Sequence, residues 1–286
     1  MKRSAAHDRA IGALIGLAVG DAVGTTLEFA RRDALPPLTD MIGGGPFRLK
    51  PGQWTDDTSM ALCLAESLIA HRGEFDARDC LARFVNWYRH GMNSATGSCF
   101  DIGNATRAAL EEFERSGALV NNADESQQGN GSIMRLAPAV ICARNEAEAV
   151  QLARAQGRAT HAASVPDRCC SSLAAELWRL IETAAPSASV AKLAASPRDE
   201  IDSSGHAPAT LNAAYWALAT TKDFKAAVLA AANLASDADT MAAVTGQLAG
   251  ALYGASGIPE PWLAKLAWRD DIEALAEKLW NLRFRA

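Results

Sequence analysis

Ile11-Gly12-Ala13-Leu14-Ile15-Gly16-Leu17-Ala18-Val19-Gly20-Asp21-Ala22-Val23-Gly24 is the stretch that decides the fold. Glycine recurs at every fourth position, and that spacing keeps all four on one face of a helix. Each mid-helix glycine costs about 0.5–1 kcal/mol relative to alanine. A stripe of four is therefore expected only where a second backbone must come very close. Gly246, Gly250 and Gly254 repeat the pattern near the other end of the chain. The two stretches are expected to form the central and most buried pair of helices.

Working outward, helical periodicity dominates and alternating strand patterns are almost absent. Helices are expected over roughly 8–24, 57–72, 76–92, 101–116, 132–144, 145–159, 166–185, 209–220, 223–235, 240–254 and 269–284. Asp76, Asn145 and Asp223 are placed as N-caps. The stretches 39–53, 117–131 and 186–208 are expected to be irregular, and 186–208 is too short to separate two domains. With 49% hydrophobic residues the chain can fill one large core. The expectation is an all-α fold, a single compact multi-helix domain over residues 1–286.

The net charge of -5, with no basic run longer than a pair, argues against a nucleic-acid partner. The six cysteines lie scattered without a C-x-x-C, as free thiols in a reducing cytosol would. Lys2 and Arg3 precede the apolar run from Ile11 to Val19. However, His7, Asp8 and Arg9 break the order of a secretory signal, and no small-x-small site follows. No segment reads as approaching the roughly 20 apolar residues of a membrane helix. A soluble cytoplasmic protein with no membrane partner is expected.

The strongest chemical signal is Trp54-Thr55-Asp56-Asp57-Thr58 ahead of an apolar helix. Capping explains one carboxylate at a helix start, but two adjacent ones repel unless something positive lies between them. A second cluster, Ser236-Asp237-Ala238-Asp239-Thr240, opens the later glycine-striped helix. Residues two apart cannot share a helix face, so Asp237 and Asp239 must sit on the turn entering it if both are to point one way. The donors are all hard oxygens, with no histidine or cysteine nearby in sequence. That set suits two Mg²⁺ or Mn²⁺ ions rather than zinc, and the spacing is not that of a calcium loop. Gly129-Asn130-Gly131-Ser132 ahead of an expected helix reads either as a phosphate-approaching loop or as a plain turn. In Gly97-Ser98-Cys99-Phe100-Asp101-Ile102-Gly103, Asp101 reads equally as a helix cap. His161 reads as a helix-end histidine.

In this order, the motifs resemble the ADP-ribosylglycohydrolase family from about Arg9 to the C-terminus. They comprise Gly20-Asp21-Ala22-Val23-Gly24 with Glu28, the two acidic clusters, Cys99 to Gly103, Gly129 to Arg135, and His161. The Cys-Phe-Asp-Ile-Gly run is similar to the bacterial branch containing the dinitrogenase reductase-activating glycohydrolase. The resemblance implies an all-α hydrolase with two Mg²⁺ or Mn²⁺ ions in a cleft. It places Thr55, Asp56, Asp57, Asp237, Asp239 and Thr240 at metal-ligand positions and Glu28 at an acidic position near them. It places Phe100, Asp101, Ile102, Gly103, Gln127, Gln128, Gly129, Asn130, Gly131, Ser132 and His161 along the ADP-ribose pocket. The chain departs from the family at Ala235-Ser236, where many members carry Gly-Gly.

The resemblance further implies removal of ADP-ribose from an ADP-ribosylated protein, most directly from arginine, in metabolic regulation or toxin immunity. Asp101, or Glu28 in its place, would handle the proton. Other readings stand beside this one: another ADP-ribose linkage (serine, nucleobase or O-acetyl), a two-metal phosphoesterase, or a non-catalytic ADP-ribose-binding relative.

Overall fold

Periodic apolar faces and local caps set the helices. In the computed structural model, residues 3–120 and 124–285 are described. Lys2 and the 121–123 part of the expected irregular segment lie outside them. The described residues form α1 (Ala5–Gly24), α2 (Asp56–Ala70), α3 (Ala77–His90), α4 (Asn104–Ser116), α5 (Ala137–Ile141), α6 (Glu146–Arg158) and α7 (Ser164–Thr183). These are followed by α8 (Ala188–Ala191), α9 (Ala207–Thr220), α10 (Phe224–Ala232), α11 (Ala238–Tyr253), α12 (Glu260–Leu263) and α13 (Arg269–Leu282). Only isolated bridges such as Glu28–Ser236 and Gly129–His206 stand in for sheet among the described residues. Asp76, Asn145 and Asp223 cap as expected, each accepting from the backbone N–H three residues on.

The two glycine-striped helices pair antiparallel at the centre. A Cβ on Gly12, Gly16, Gly20 or Gly24 would stand 2.4, 2.2, 2.1 or 2.3 Å from the carbonyl oxygen of Gly250, Gly246, Ala242 or Ala238. No side chain fits there, so the backbones pack directly. Gly254 ends the seam: a Cβ on Gly12 would stand 2.6 Å from the Gly254 carbonyl carbon. It follows the last residue of α11 with φ 80°, and its own Cβ would meet Asp8 rather than α1. Ala238 and Ala242 extend the facing row toward the other end. One hydrophobic cluster runs from α1 to α13.

Four sequence expectations are corrected. The stretch 132–144 is not one helix: α5 covers only Ala137–Ile141, with Pro138 in its first turn, where proline is tolerated. The preceding carbonyls of Ile133 and Met134 accept from the Gln247 side chain rather than from a helix. The stretch 186–208 holds α8 and two 3₁₀ turns, Lys192–Ala195 and Arg198–Glu200. Helix α4 begins at Asn104 rather than Asp101, and its N-cap is Gly103. Finally, Ala5–Leu27 is long and apolar enough to cross a membrane by composition, at mean hydropathy 1.6, but 94% of that window is buried within the fold. It is the core helix.

Candidate active site

The antiparallel seam decides where the acidic residues go, because it sets the C-terminal end of α1 beside the N-terminus of α11. Glu28, just past α1, accepts from the backbone N–H of Ala238 at 2.7 Å and of Asp239 at 3.4 Å. It therefore supplies the cap that Asp237 does not. One helical level back, Asp21 caps α2. Its carboxylate accepts from the N–H groups of Thr55 (2.9 Å) and Thr58 (3.0 Å) and from both threonine hydroxyls (2.9 and 2.6 Å). Thr55 itself makes no side-chain cap. Two helix N-termini, each carrying partial positive charge, thus converge on one point. Asp21 was missed by the cluster reading. The visible signal was a carboxylate inside an otherwise apolar glycine stripe.

With both helices capped from α1, the acidic clusters are left facing each other. A cavity of about 480 Å³ is lined by Glu28, Asp56, Asp101, Asp237 and Thr240, and also by Gly129 to Gly131 and His161. Asp57 and Asp239 are buried behind it, and Thr240 Oγ1 lies 3.5 Å from Asp57 Oδ2. Carboxylate oxygens of Glu28, Asp237 and Asp239 lie within 4.8 Å of one another. Asp57 Oδ1 and Asp239 Oδ2 are buried with no hydrogen-bond partner. An orphaned carboxylate oxygen is costly unless a cation takes it. An all-oxygen donor set with such orphans fits hard divalent cations.

Electrostatics carry the same message. Burial first, and the Asp239 charge second, push Glu28 up to about 12 and Asp21 and Asp237 up to about 7. Burial, then Asp56 and Asp239, push Asp101 up to about 11. Asp56 and Asp57 are raised well above the usual carboxylate range by burial and their acidic neighbours. Without a counter-charge the protein must hold protons here.

The glycine-lined loop joins the acidic cluster directly: Asn130 Nδ2 donates to Asp237 Oδ2 at 2.5 Å and to Thr210 Oγ1 at 2.9 Å. A Cβ on Gly131 would stand 2.7 Å from His161 Cε1, so glycine there lets the loop close on the imidazole. His161 Nδ1 lies 2.8 Å from Thr160 Oγ1, which accepts from the fully buried Arg135 at 2.7 Å. Burial, then Arg135, hold His161 down at about 3, so it is neutral.

The remaining residues named from sequence divide by position. Asp101 is not a cap; it stands at φ 61° on the cavity wall, and Gly103 lines the wall with it. Phe100 and Ile102 face an adjoining hollow instead. Gln128 Oε1 is turned to His206 Nε2 at 2.6 Å, and Gln127 Nε2 donates to Asp124 at 3.4 Å. Ser132 is buried next to Gly157, away from the cavity wall.

The profile of the ADP-ribosylglycohydrolase family matches residues 2–286. The chain belongs to the ADP-ribosylglycohydrolase family. Among its relatives, the ADP-ribosylarginine hydrolase Tri1 of Pseudomonas putida (strain GB-1) is 50% identical over 96% of this chain and 79% of its own length. The ADP-ribosyl-dinitrogen reductase glycohydrolase of Rhodospirillum rubrum is 35% identical over 91% of this chain and 90% of its own. A solved ADP-ribosylglycohydrolase-related protein complex superposes with a TM-score of 0.85 at 40% identity, covering 98% of this chain and 99% of that one. This family member is therefore an all-α hydrolase fold whose acidic cavity sits at the end of its central helix seam.

Proposed function

We propose that this ADP-ribosylglycohydrolase is a metal-dependent ADP-ribosylarginine hydrolase, cleaving the N-glycosidic bond between ADP-ribose and a guanidinium. The observation that carries the reading is the acidic cavity: carboxylates from α2, from the entry and first turn of α11, from the turn after α1 and from the Asp101 loop gather there, with orphaned oxygens on Asp57 and Asp239, beside glycine-lined backbone. The arginine linkage is supported by the 50% and 47% identity to relatives named for it. Thr55, Asp56, Asp57, Asp237, Asp239 and Thr240, with Glu28, would hold two Mg²⁺ or Mn²⁺ ions. When bound, these supply positive charge that holds ribose hydroxyls and acidifies water.

The chain's own residues do the rest. Gly129, Asn130 and Gly131 offer a backbone close enough for a diphosphate, and neutral His161 stands behind them. As water attacks the anomeric carbon and the carbon–nitrogen bond breaks, one carboxylate takes the proton of water and the departing guanidine takes one up. Asp101 is the carboxyl we assign to that exchange, and Glu28 is the alternative. A cytoplasmic protein target, modified in regulation or by a toxin, is the matching physiological substrate.

The test is incubation with arginine-, serine- and nucleobase-linked ADP-ribose, with EDTA and then with added Mg²⁺ or Mn²⁺. Release of intact ADP-ribose from the arginine conjugate, abolished by chelation and restored by metal, is expected. AMP and ribose phosphate as products would replace this reading with a phosphoesterase. Full turnover in metal-free protein would falsify the metal assignment.

A further inference from the structure

Asp101 stands between two hollows. Beyond it from the acidic cavity lies a more open one, of about 700 Å³, whose walls include Phe29, Phe47, Tyr88, Phe100 and Arg107. The two share Phe29, Asp101, Gly103 and Asn104, so they adjoin along these residues, and Asp101 lines both. Three phenylalanines from three separate loops meet there. The Phe47 ring centroid lies 6.0 Å from that of Phe29 and 5.0 Å from that of Phe100. Phe29 is 67% exposed and sits at φ 58°, a left-handed conformation that a bulky residue adopts at a cost of about 1–2 kcal/mol. Its N–H donates to the Ser236 carbonyl at 2.7 Å, which holds the ring at the cavity mouth. A large apolar side chain held in strain and in water beside a charged cavity gains nothing for the core.

We infer that this aromatic hollow is the acceptor subsite, which takes the guanidinium arm of the modified polypeptide. The inference rests on the arginine reading above and names the surface that would enforce it. A glycosidic bond has two ends. The glycine-lined wall suits the diphosphate end, because bare backbone amides can approach an anion there. That leaves the aromatic side for the leaving group. A guanidinium stacks its flat face on aromatic rings while its edge pairs with a carboxylate, and Phe47, Phe100 and Asp101 offer both together. A serine O-glycoside has no charged planar group to stack there and no N–H at the scissile oxygen. Arg107, exposed and lining the same hollow, disfavours a run of basic residues around the modified one. The occupant is thus one guanidinium with its methylene arm.

The experiment uses the Mg²⁺-loaded full chain and its Phe47→Ala variant, with Phe29→Ala as a second variant whose side chain is mostly in solvent. Steady-state kinetics on ADP-ribosylarginine are compared with calorimetric binding of free ADP-ribose, which fills only the glycine-lined side. KM for ADP-ribosylarginine should rise about five- to twentyfold in each variant, well beyond any fall in kcat. ADP-ribose affinity should hold, and Phe47→Trp should restore KM. An unchanged KM in both alanine variants overturns the subsite. ADP-ribose affinity falling in step with KM also overturns it, by moving the rings to the nucleotide side. If the parent enzyme fails to cleave the arginine conjugate, the underlying reading fails, and this shows before any variant is made.

Discussion

Ala235 and Ser236 enter α11 with φ of 59° and 68°, where residues with a Cβ are strained. The reason is local: Ser236 N–H donates to Ala30 at 2.9 Å and its carbonyl accepts from Phe29, so the turn is sewn to the chain after Glu28. Glycine at either position would adopt this geometry without strain, which accounts for the Gly-Gly that the family resemblance leads one to expect here. Ala235→Gly should raise stability by about 1 kcal/mol, read as a higher denaturation midpoint; a lower midpoint would show that the Ala235 methyl contributes more packing than strain. Asp101→Asn keeps the shape but cannot exchange a proton. It should bind ADP-ribose nearly as the parent does while turnover on ADP-ribosylarginine falls about 10²- to 10⁴-fold. An undiminished rate would move the proton-handling role to Glu28. At this scale the acidic clusters were legible because like charges so close need a counter-charge. The capping roles of Asp21 and Glu28 were not, since their partners lie 34 and 210 residues away.

The glycine spacing announced the central helix pair, because nothing but backbone contact accounts for such a stripe. It could not announce the antiparallel register, which depends on carbonyls meeting across the seam, nor that Gly254 closes that seam as the terminator of its helix. Periodicity also overran Pro138 and passed over α8 and α12, each a single turn made by caps and prolines rather than by an apolar face. The seam itself is testable. A Cβ on Gly246 would stand 2.0 Å from the Gly16 carbonyl oxygen, so even Gly246→Ala must push two helices apart. It should destabilise by about 1–3 kcal/mol or more in chemical denaturation. It should also weaken divalent-cation binding, since Glu28 and Asp239 ride on opposite helices of the pair. A variant that melts like its parent would mean the helices are not in direct contact.

For the molecule as a whole, the cavity concentrates negative charge that the fold alone does not neutralise. Asp21 and Asp237 carry folded values near 7, above the 3.8 of an ordinary aspartate. Between those values the folded state holds more protons than the unfolded one, so stability falls as pH rises through 7. Metal-free protein should therefore melt at a lower temperature at pH 8.5 than at pH 6.5. Mg²⁺ or Mn²⁺ should reverse the trend, because cations replace the protons and bind only the folded state. A chelated sample that grows more heat-stable toward pH 8.5 would contradict this placement of the carboxylates. The seam beneath the cavity has a consequence for local motion. With no side chain between α1 and α11, the two helices have nothing to repack and no partial way to separate. Amides facing that seam, from Ala242 to Gly250, should exchange with deuterated solvent only when the entire chain opens. Chelation should hasten that exchange by lowering global stability. Exchange at the outlying α4, which packs on the rest of the molecule through few buried residues, should proceed at nearly the same pace with or without cations.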